Sequence, residues 1–270
     1  MTPRLAVLAV LAVLAVLTAA CGRPDAAAAT PGTSTNPDPL LMVGTWTVHD
    51  AGYGDGAVVH VWAGRYTVLD GCLKFGGTWR GAWSGELLAG VTRTSGCRKA
   101  VPEWVTKASR LIISGSERTL TGPGGAVVAR LVSSGAPVPE YEPTPESTVT
   151  DAVRAQWAPP VPLPQGLHPV TADALAGRWV PERKRGSEPF LDLASDGTWT
   201  GSDGCNRTGG RWTIAANGTL LATEQLEQTL IACANLPVGS WLAGARLAGL
   251  DGETLVLLAA NGTETGRLTR

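Results

Sequence analysis

Histidine, lysine and phenylalanine are scarce in this 270-residue chain, which holds three, four and two of them. Three histidines leave little acid–base or metal chemistry to distribute. The 22 basic and 23 acidic residues give a formal charge of −1, and the basic residues are spread along the chain with no run longer than three. Charge therefore gives no argument for nucleic acid or for an anionic membrane face, and no nucleic-acid partner is expected. There is no GK[ST] loop, no GxSxG elbow and no CxxC pair. The sequence marks of phosphate cradles, serine hydrolases and redox or zinc sites are thus missing. Beyond residues 5–17 no segment approaches the eighteen apolar residues of a membrane helix. What is present is 34 glycines and 19 prolines, which point to turns and short strands, in a chain long enough for two ordinary domains.

Residues 1–20 read as an address. Met1 to Arg4 carry one cation, and Leu5 to Leu17 is an unbroken Leu/Ala/Val run. Thirteen residues at 1.5 Å rise span about 20 Å, short of the roughly 30 Å hydrocarbon core, so the run is a signal peptide and not an anchor helix. Leu17-Thr18-Ala19-Ala20-Cys21 resembles a bacterial lipobox, with Thr18 where Leu is usual. Diacylated at Cys21, the mature chain would be lipid-anchored at the extracytoplasmic face of the cell membrane, with a net charge of −2 once Arg4 is removed. The plainer alternative is ordinary cleavage after Ala20, leaving a free thiol. Residues 21–40, with an alanine run and four prolines between Arg23 and Leu40, read as a disordered tether.

The remainder is one unit written twice. At a shift of 133 residues, Gly44-Thr45-Trp46 falls on Gly177-Arg178-Trp179 and Gly64 to Thr67 on Gly197 to Thr200. Asp70-Gly71-Cys72 falls on Asp203-Gly204-Cys205, and Gly76-Gly77-Thr78-Trp79 on Gly209-Gly210-Arg211-Trp212, without a gap. Later the copies drift but keep their order. Trp104, Ala108 and Leu111, like Trp241, Ala245 and Ala248, have the i, i+4, i+7 spacing of a short amphipathic helix. Each copy closes with two strand-like runs about glycine: Gly124-Gly125 in the first, Asn261-Gly262 in the second. Domains over 41–133 and 173–270 follow, joined by a Pro-rich linker at 134–172 that reads as an extended spacer unable to bury a core. A helical turn at Ala152 to Trp157 and docking of Trp157 on one domain are the exceptions foreseen within it.

With Cys21 lipidated, Cys72, Cys97, Cys205 and Cys233 remain. Even parity and export argue for disulfides, and the duplication selects Cys72–Cys97 and Cys205–Cys233 from three connectivities. Closing loops of about 25 residues is worth roughly 3.5 kcal/mol each on the chain-entropy model. Zinc binding and redox exchange are rival uses, without histidine pairs or CxxC spacing to support them.

Leu175 to Trp179, Gly204-Cys205-Asn206, Gly209 to Trp212, Thr229 to Cys233 and Leu255 to Leu258 together resemble the META domain family, the HslJ-like module. The first copy is a degenerate version, with Leu73 in place of the Asn. The resemblance implies a mainly β fold: a small, compact, antiparallel barrel-like sheet with one short helix per copy. It also implies an envelope location, links to stress tolerance, and no enzymatic activity or cofactor.

Asp203, Asn206, Arg207 and Arg211 form the candidate binding loop, whose glycines would let backbone N–H groups approach an anion. The same residues also read as a strand connection in which Asn206 satisfies local backbone groups. Trp62 and Trp83, which the second copy lacks, are candidate contact residues. His49, His60 and His168 have no acid or nucleophile at recognisable spacing, and Asp192 and Asp196 lack the remaining ligands of a calcium loop. The leading expectation is a non-enzymatic envelope lipoprotein that binds an unknown envelope protein or ligand, its oligomeric state open. A cell-envelope hydrolase, or a redox or metal-handling protein using Cys205 and Cys233, are the alternatives.

Overall fold

A computed structural model describes residues 38–49, 56–97, 100–135, 148–183, 188–224 and 236–270, all within one compact unit. Residues 1–20 and the candidate acylation site Cys21 lie outside the described residues, as does Cys233. Among the described residues no helix is long and apolar enough to cross a membrane.

The protein is mainly β, built on two antiparallel sheets. The first contains β1 (Gly44–His49), β2 (Val58–Trp62), β3 (Arg65–Asp70), β4 (Leu73–Gly81), β5 (Leu87–Gly96), β6 (Arg110–Ser114), β7 (Glu117–Thr121) and β8 (Val127–Ser133), with α1 (Glu103–Lys107) between β5 and β6. Then come α2 (Asp151–Gln156), β9 (His168–Pro169) and α3 (Ala172–Leu175). The second sheet continues with β10 (Gly177–Pro181), β11 (Phe190–Leu193), β12 (Thr198–Ser202), β13 (Arg207–Ile214) and β14 (Leu220–Ala222). It ends with α4 (Val238–Gly244), β15 (Leu247–Asp251), β16 (Thr254–Leu258) and β17 (Glu264–Thr269).

Strand order is β5-β4-β3-β2-β1-β8-β7-β6 in the first sheet and β14-β13-β12-β11-β10-β17-β16-β15 in the second, where β9 adds one edge strand. Each sheet curls until its outer strands meet at a single bridge, Glu86 to Arg110 and Thr219 to Leu247. Alternating burial along β3, β6 and β11 turns one side chain in two toward an enclosed core.

Tryptophan fills the space that phenylalanine would normally take. Trp46 Nε1 donates to the Met42 carbonyl and Trp179 Nε1 to the Leu175 carbonyl, both at 2.8 Å and both four residues back. Tyr66 Oη reaches the Gly90 carbonyl and Trp199 Nε1 the Thr223 carbonyl, 24 residues on in each case. Each ring buries its apolar face and places its single donor on a carbonyl, so little polar cost remains. Gly77 and Gly210 let neighbouring strands close in. A Cβ at Gly77 would stand 1.8 Å from the Gly90 carbonyl oxygen, and one at Gly210 would stand 2.0 Å from that of Thr223.

Three expectations are corrected. The i, i+4, i+7 stripes are buried, but they are not helical throughout. α1 stops at Ala108 and α4 at Ala245, where the backbone turns extended, and Leu111 and Ala248 belong to strands. The Leu111 N–H goes to the Gly85 carbonyl and the Ala248 N–H to that of Gly218, so ladder bonds that close the sheets replace another helical turn. Trp62 is a core residue, not a surface contact.

The Pro-rich segment is bound over 148–170 rather than free. Thr150 caps α2 by accepting from the Val153 N–H, which seats Val153 and Trp157 in the core of the first sheet. The Val161 N–H then pairs with the Ala260 carbonyl, Leu163 and Leu167 pack on β15 and β16, and β9 pairs with β15. The two sheets sit in one compact unit with this strap laid across both.

Candidate functional site

The two sheets meet along a seam. Thr78 Oγ1 donates to the Glu224 carbonyl at 2.8 Å. Arg211 Nη1 donates to the carbonyls of Ala89 (3.1 Å) and Thr106 (2.8 Å), and Ala82, Leu88 and Leu221 form a small apolar cluster beside them. Beside this seam the strap borders two half-open cavities of about 180 and 410 Å³ that share Arg80, Gln156 and Arg246.

Arg246 is placed by the end of α4. The Ala245 N–H closes the helix on the Trp241 and Leu242 carbonyls, and Arg246 turns directly into β15. Its carbonyl accepts from the Leu220 N–H at the seam where the second sheet closes. The side chain folds back so that Nη1 donates to the Ala243 and Ala245 carbonyls, at 3.1 and 2.8 Å. These are the exposed carbonyls of a helix C-terminus, where a cation is favoured. Arg246 is nevertheless only 8% exposed, and among the described residues no carboxylate forms an ion pair with it. Burial, and then the neighbouring Arg80 guanidinium, pull its pKa down to about 9, so it remains charged at neutral pH.

Trp157 packs against both cations. Its ring packs on Trp79 with centroids 4.7 Å apart, while the guanidinium carbons of Arg80 and Arg246 lie 5.4 and 5.8 Å from its centroid. Both distances are within cation–π range. Trp83 Nε1 donates to the Trp157 carbonyl at 2.7 Å and so fixes the end of α2. The unmatched Trp83 thus holds the strap in place. Among the described residues, the smaller cavity is lined by Arg65, Arg80 and Arg246 and by the carboxylate of Glu224. Such an arrangement can hold negative charge in a partly dehydrated space. A third cavity, inside the first sheet against Tyr66 and Trp104, measures about 40 Å³, which is room for little more than one water.

The candidate loop is arranged differently. Asp203 Oδ1 accepts from the backbone N–H groups of Cys205 and Asn206, at 2.8 and 2.6 Å, and Asp203 Oδ2 accepts from Asn206 Nδ2 at 3.1 Å. Asp203 and Asn206 therefore form a turn bonded to itself, with Asn206 buried. Arg207 is exposed at the start of β13, and Arg211, at the 133-residue shift from Thr78, leaves the loop to clamp the seam. The structure does not bring the four residues around one space. The backbone N–H groups of Cys205 and Asn206 point at Asp203, not at a ligand.

Cys72 and Cys97 are disulfide-bonded with Cα atoms 5.4 Å apart. Cys205 is also disulfide-bonded, to a partner outside the described residues. His60 is buried with Nδ1 3.1 Å from Thr45 Oγ1, and Asp196 Oδ1 accepts from the backbone N–H and hydroxyl of Thr198. Among the described residues no three His, Cys, Asp or Glu side chains are grouped to hold a metal ion.

Residues 171–270 match the META domain family. The match takes in α3, the second sheet from β10 to β17, and α4, so Arg246 lies within the matched stretch while Arg80 and Trp157 lie outside it. No curated protein and no solved structure matches the chain. Sequence reasoning missed Arg80 and Arg246. The usable signal was asymmetry between the copies, since Arg80 falls on Thr213 at the common shift, and β6 begins after Ser109 where β15 begins after Arg246.

Proposed function

We propose that the chain is a non-catalytic lipoprotein of the cell envelope, tethered through acylated Cys21 on the extracytoplasmic side, in which two META-like units serve binding or envelope maintenance under stress. The observation that carries this reading is the META domain match over 171–270. The lipobox-like Leu17 to Cys21 supports the tether. The Cys72–Cys97 bond suits an oxidising compartment. The reading of the first sheet as a degenerate second copy is supported by the shared strand order and by the Trp46/Trp179 and Tyr66/Trp199 bonds at matched positions.

The test is expression of the full chain and of Cys21→Ser in a bacterial host, with fractionation, protease treatment of intact cells or spheroplasts, and mass analysis of the N-terminal peptide. A diacylated peptide beginning at Cys21, with the bulk of the chain accessible from outside, is the expected result. A soluble cytoplasmic protein with an unmodified thiol at Cys21 would end the proposal.

A further inference from the structure

We propose that the outer face of β15 and β16 is a docking groove for an extended, uncharged, proline-interrupted segment of a partner protein, and that the strap is its occupant from the same chain, an autoinhibitory contact. The proposal gives the binding role above a partner class and rests on that reading.

An antiparallel sheet that covers a core with one face normally turns polar side chains outward on the other. β16 does not. Leu255 and Leu257 enter the core of the second sheet, while Val256 and Leu258 join Leu247 of β15 in a separate apolar cluster on the opposite face. The fold itself does not require this. Leu111 and Ala248 hold equivalent places, each bonded to a glycine carbonyl that closes its sheet and paired with Leu120 or Leu257. Counted from there, the first sheet carries Arg110, Thr119 and Thr121 where the second carries Leu247, Val256 and Leu258, and Ile112 where the second has Gly249. The strap fits this face residue by residue. A Cβ at Gly262 would stand 3.1 Å from Val161 Cγ2, one at Gly218 2.9 Å from Leu163 Cδ1, and one at Gly249 3.2 Å from Leu167 Cβ. Three glycines thus floor the groove, Leu163 and Leu167 pack on its apolar trio, and β9 adds two ladder pairs to the edge of β15. Main-chain pairing at a sheet edge, with side chains seated in gaps, is how a sheet takes up an extended peptide. The cover is lightly held. Five residues between 159 and 169 are prolines, which have no N–H to donate, and none of residues 158–169 is buried. Beneath them Leu247, Val256 and Leu258 are only 2% to 3% exposed. A segment with few buried contacts opens without global unfolding. Opening uncovers a formed apolar groove, which then accepts a segment carrying aliphatic side chains in the order Val-x-Leu-x-x-x-Leu, as residues 161–167 do.

The test uses the full chain purified from membranes in mild detergent, and a fluorescein-labelled synthetic peptide of residues 158–170. Binding is read by anisotropy against a detergent-only blank. The double variant Leu163→Ser/Leu167→Ser loosens the strap and leaves the groove untouched. It should bind the peptide about tenfold more tightly than the wild-type chain, whose own strap competes at high effective concentration. Adding Gly249→Leu, which fills the groove floor, should abolish that binding, and a peptide with serine in place of both leucines should lose it as well. No saturable binding to the folded double variant, equal affinity for it and the wild type, or binding that survives Gly249→Leu overturns the proposal. If the double variant does not fold, hydrogen exchange of the wild-type chain decides. The amides of Val161 and Leu163 should exchange about a hundredfold faster than those of Val256 and Leu257, and equal protection overturns the proposal. Acylation at Cys21 is measured on the same preparations, so an anchored protein that does not take the peptide refutes the groove without touching the lipoprotein reading.

Discussion

Replacing Gly210 by alanine should be among the most damaging single-methyl changes in the protein. The added Cβ would lie 2.0 Å from the Thr223 carbonyl oxygen and 2.8 Å from Trp199 Nε1. Neither neighbour yields easily, because one is backbone and the other is a buried indole whose donor bonds that same carbonyl at 2.9 Å. Restoring an ordinary contact requires the oxygen to retreat by about 1 Å, which breaks the indole bond and pulls on the Thr223 N–H to Arg211 carbonyl link. Leaving the indole N–H unsatisfied costs about 1–3 kcal/mol, and forcing the packed strands apart costs a further 1–3 kcal/mol or so. The working figure is about 3–4 kcal/mol, or a Tm lowered by roughly 10 °C for a chain of this size. The control is Gly252→Ala, where φ is +62° but nothing lies within 4 Å of the new methyl, so only backbone strain of about 1–2 kcal/mol is expected. Urea and thermal unfolding, followed by far-ultraviolet circular dichroism on the disulfide-intact chain, read both variants. Equal, small losses in Gly210→Ala and Gly252→Ala would refute the close-approach argument.

Three further outcomes are expected. Removing the Cys72–Cys97 bond with paired serines should lower stability by about 3.5 kcal/mol for its 25-residue separation, measured as a shift in urea midpoint at constant slope. Trp157→Ala should cost about 3–5 kcal/mol and open residues 148–167 to limited proteolysis, because it removes the Trp79 contact and the ring on which the Arg80 and Arg246 guanidiniums pack; unchanged cleavage would show that the strap is held elsewhere. Burial, and then Lys74, hold the His60 imidazole below its ordinary 6.5. The unfolded chain therefore takes up this proton more readily than the folded one, so the stability contribution is complete above pH 6.5 and is lost as pH falls below it, by at most about 1.4 kcal/mol per unit. His60→Gln should flatten that part of the pH–stability curve, and an unaltered slope would remove His60 as its source.

How much of this was legible follows from what kind of constraint each residue carries. Cys72, Trp46 and Trp79 could be read because the 133-residue shift repeats them, and Cys97 because Cys233 answers it in order in the second copy; repetition filters local accident. Helix ends could not. The apolar stripe through Trp104, Ala108 and Leu111 reports burial, and burial at that spacing is also met by a half-turn running into a strand. Proline content argues against regular structure over much of 148–170, but composition is silent on what an extended backbone lies against. Leu163, Leu167 and Val170 cover apolar surface without any periodicity. The candidate loop drew attention because its glycines are conspicuous, whereas Arg80 and Arg246 stand more than 160 residues apart and converge only through the seam.

That seam is modest: a threonine hydroxyl, one arginine and three apolar side chains are its named contacts. As two separate molecules, partners joined by so little would hardly meet at cellular concentrations. A continuous strap changes the arithmetic, because a short tether holds its ends at effective concentrations in the millimolar range, and a weak contact then stays closed. The cavities depend on that closure, so they exist only while the chain between α2 and β9 is intact. A single proteolytic cut between Pro159 and Leu167 would relax the wall formed by Arg80 and Trp157 against Arg246, and it would do so without altering any of the three.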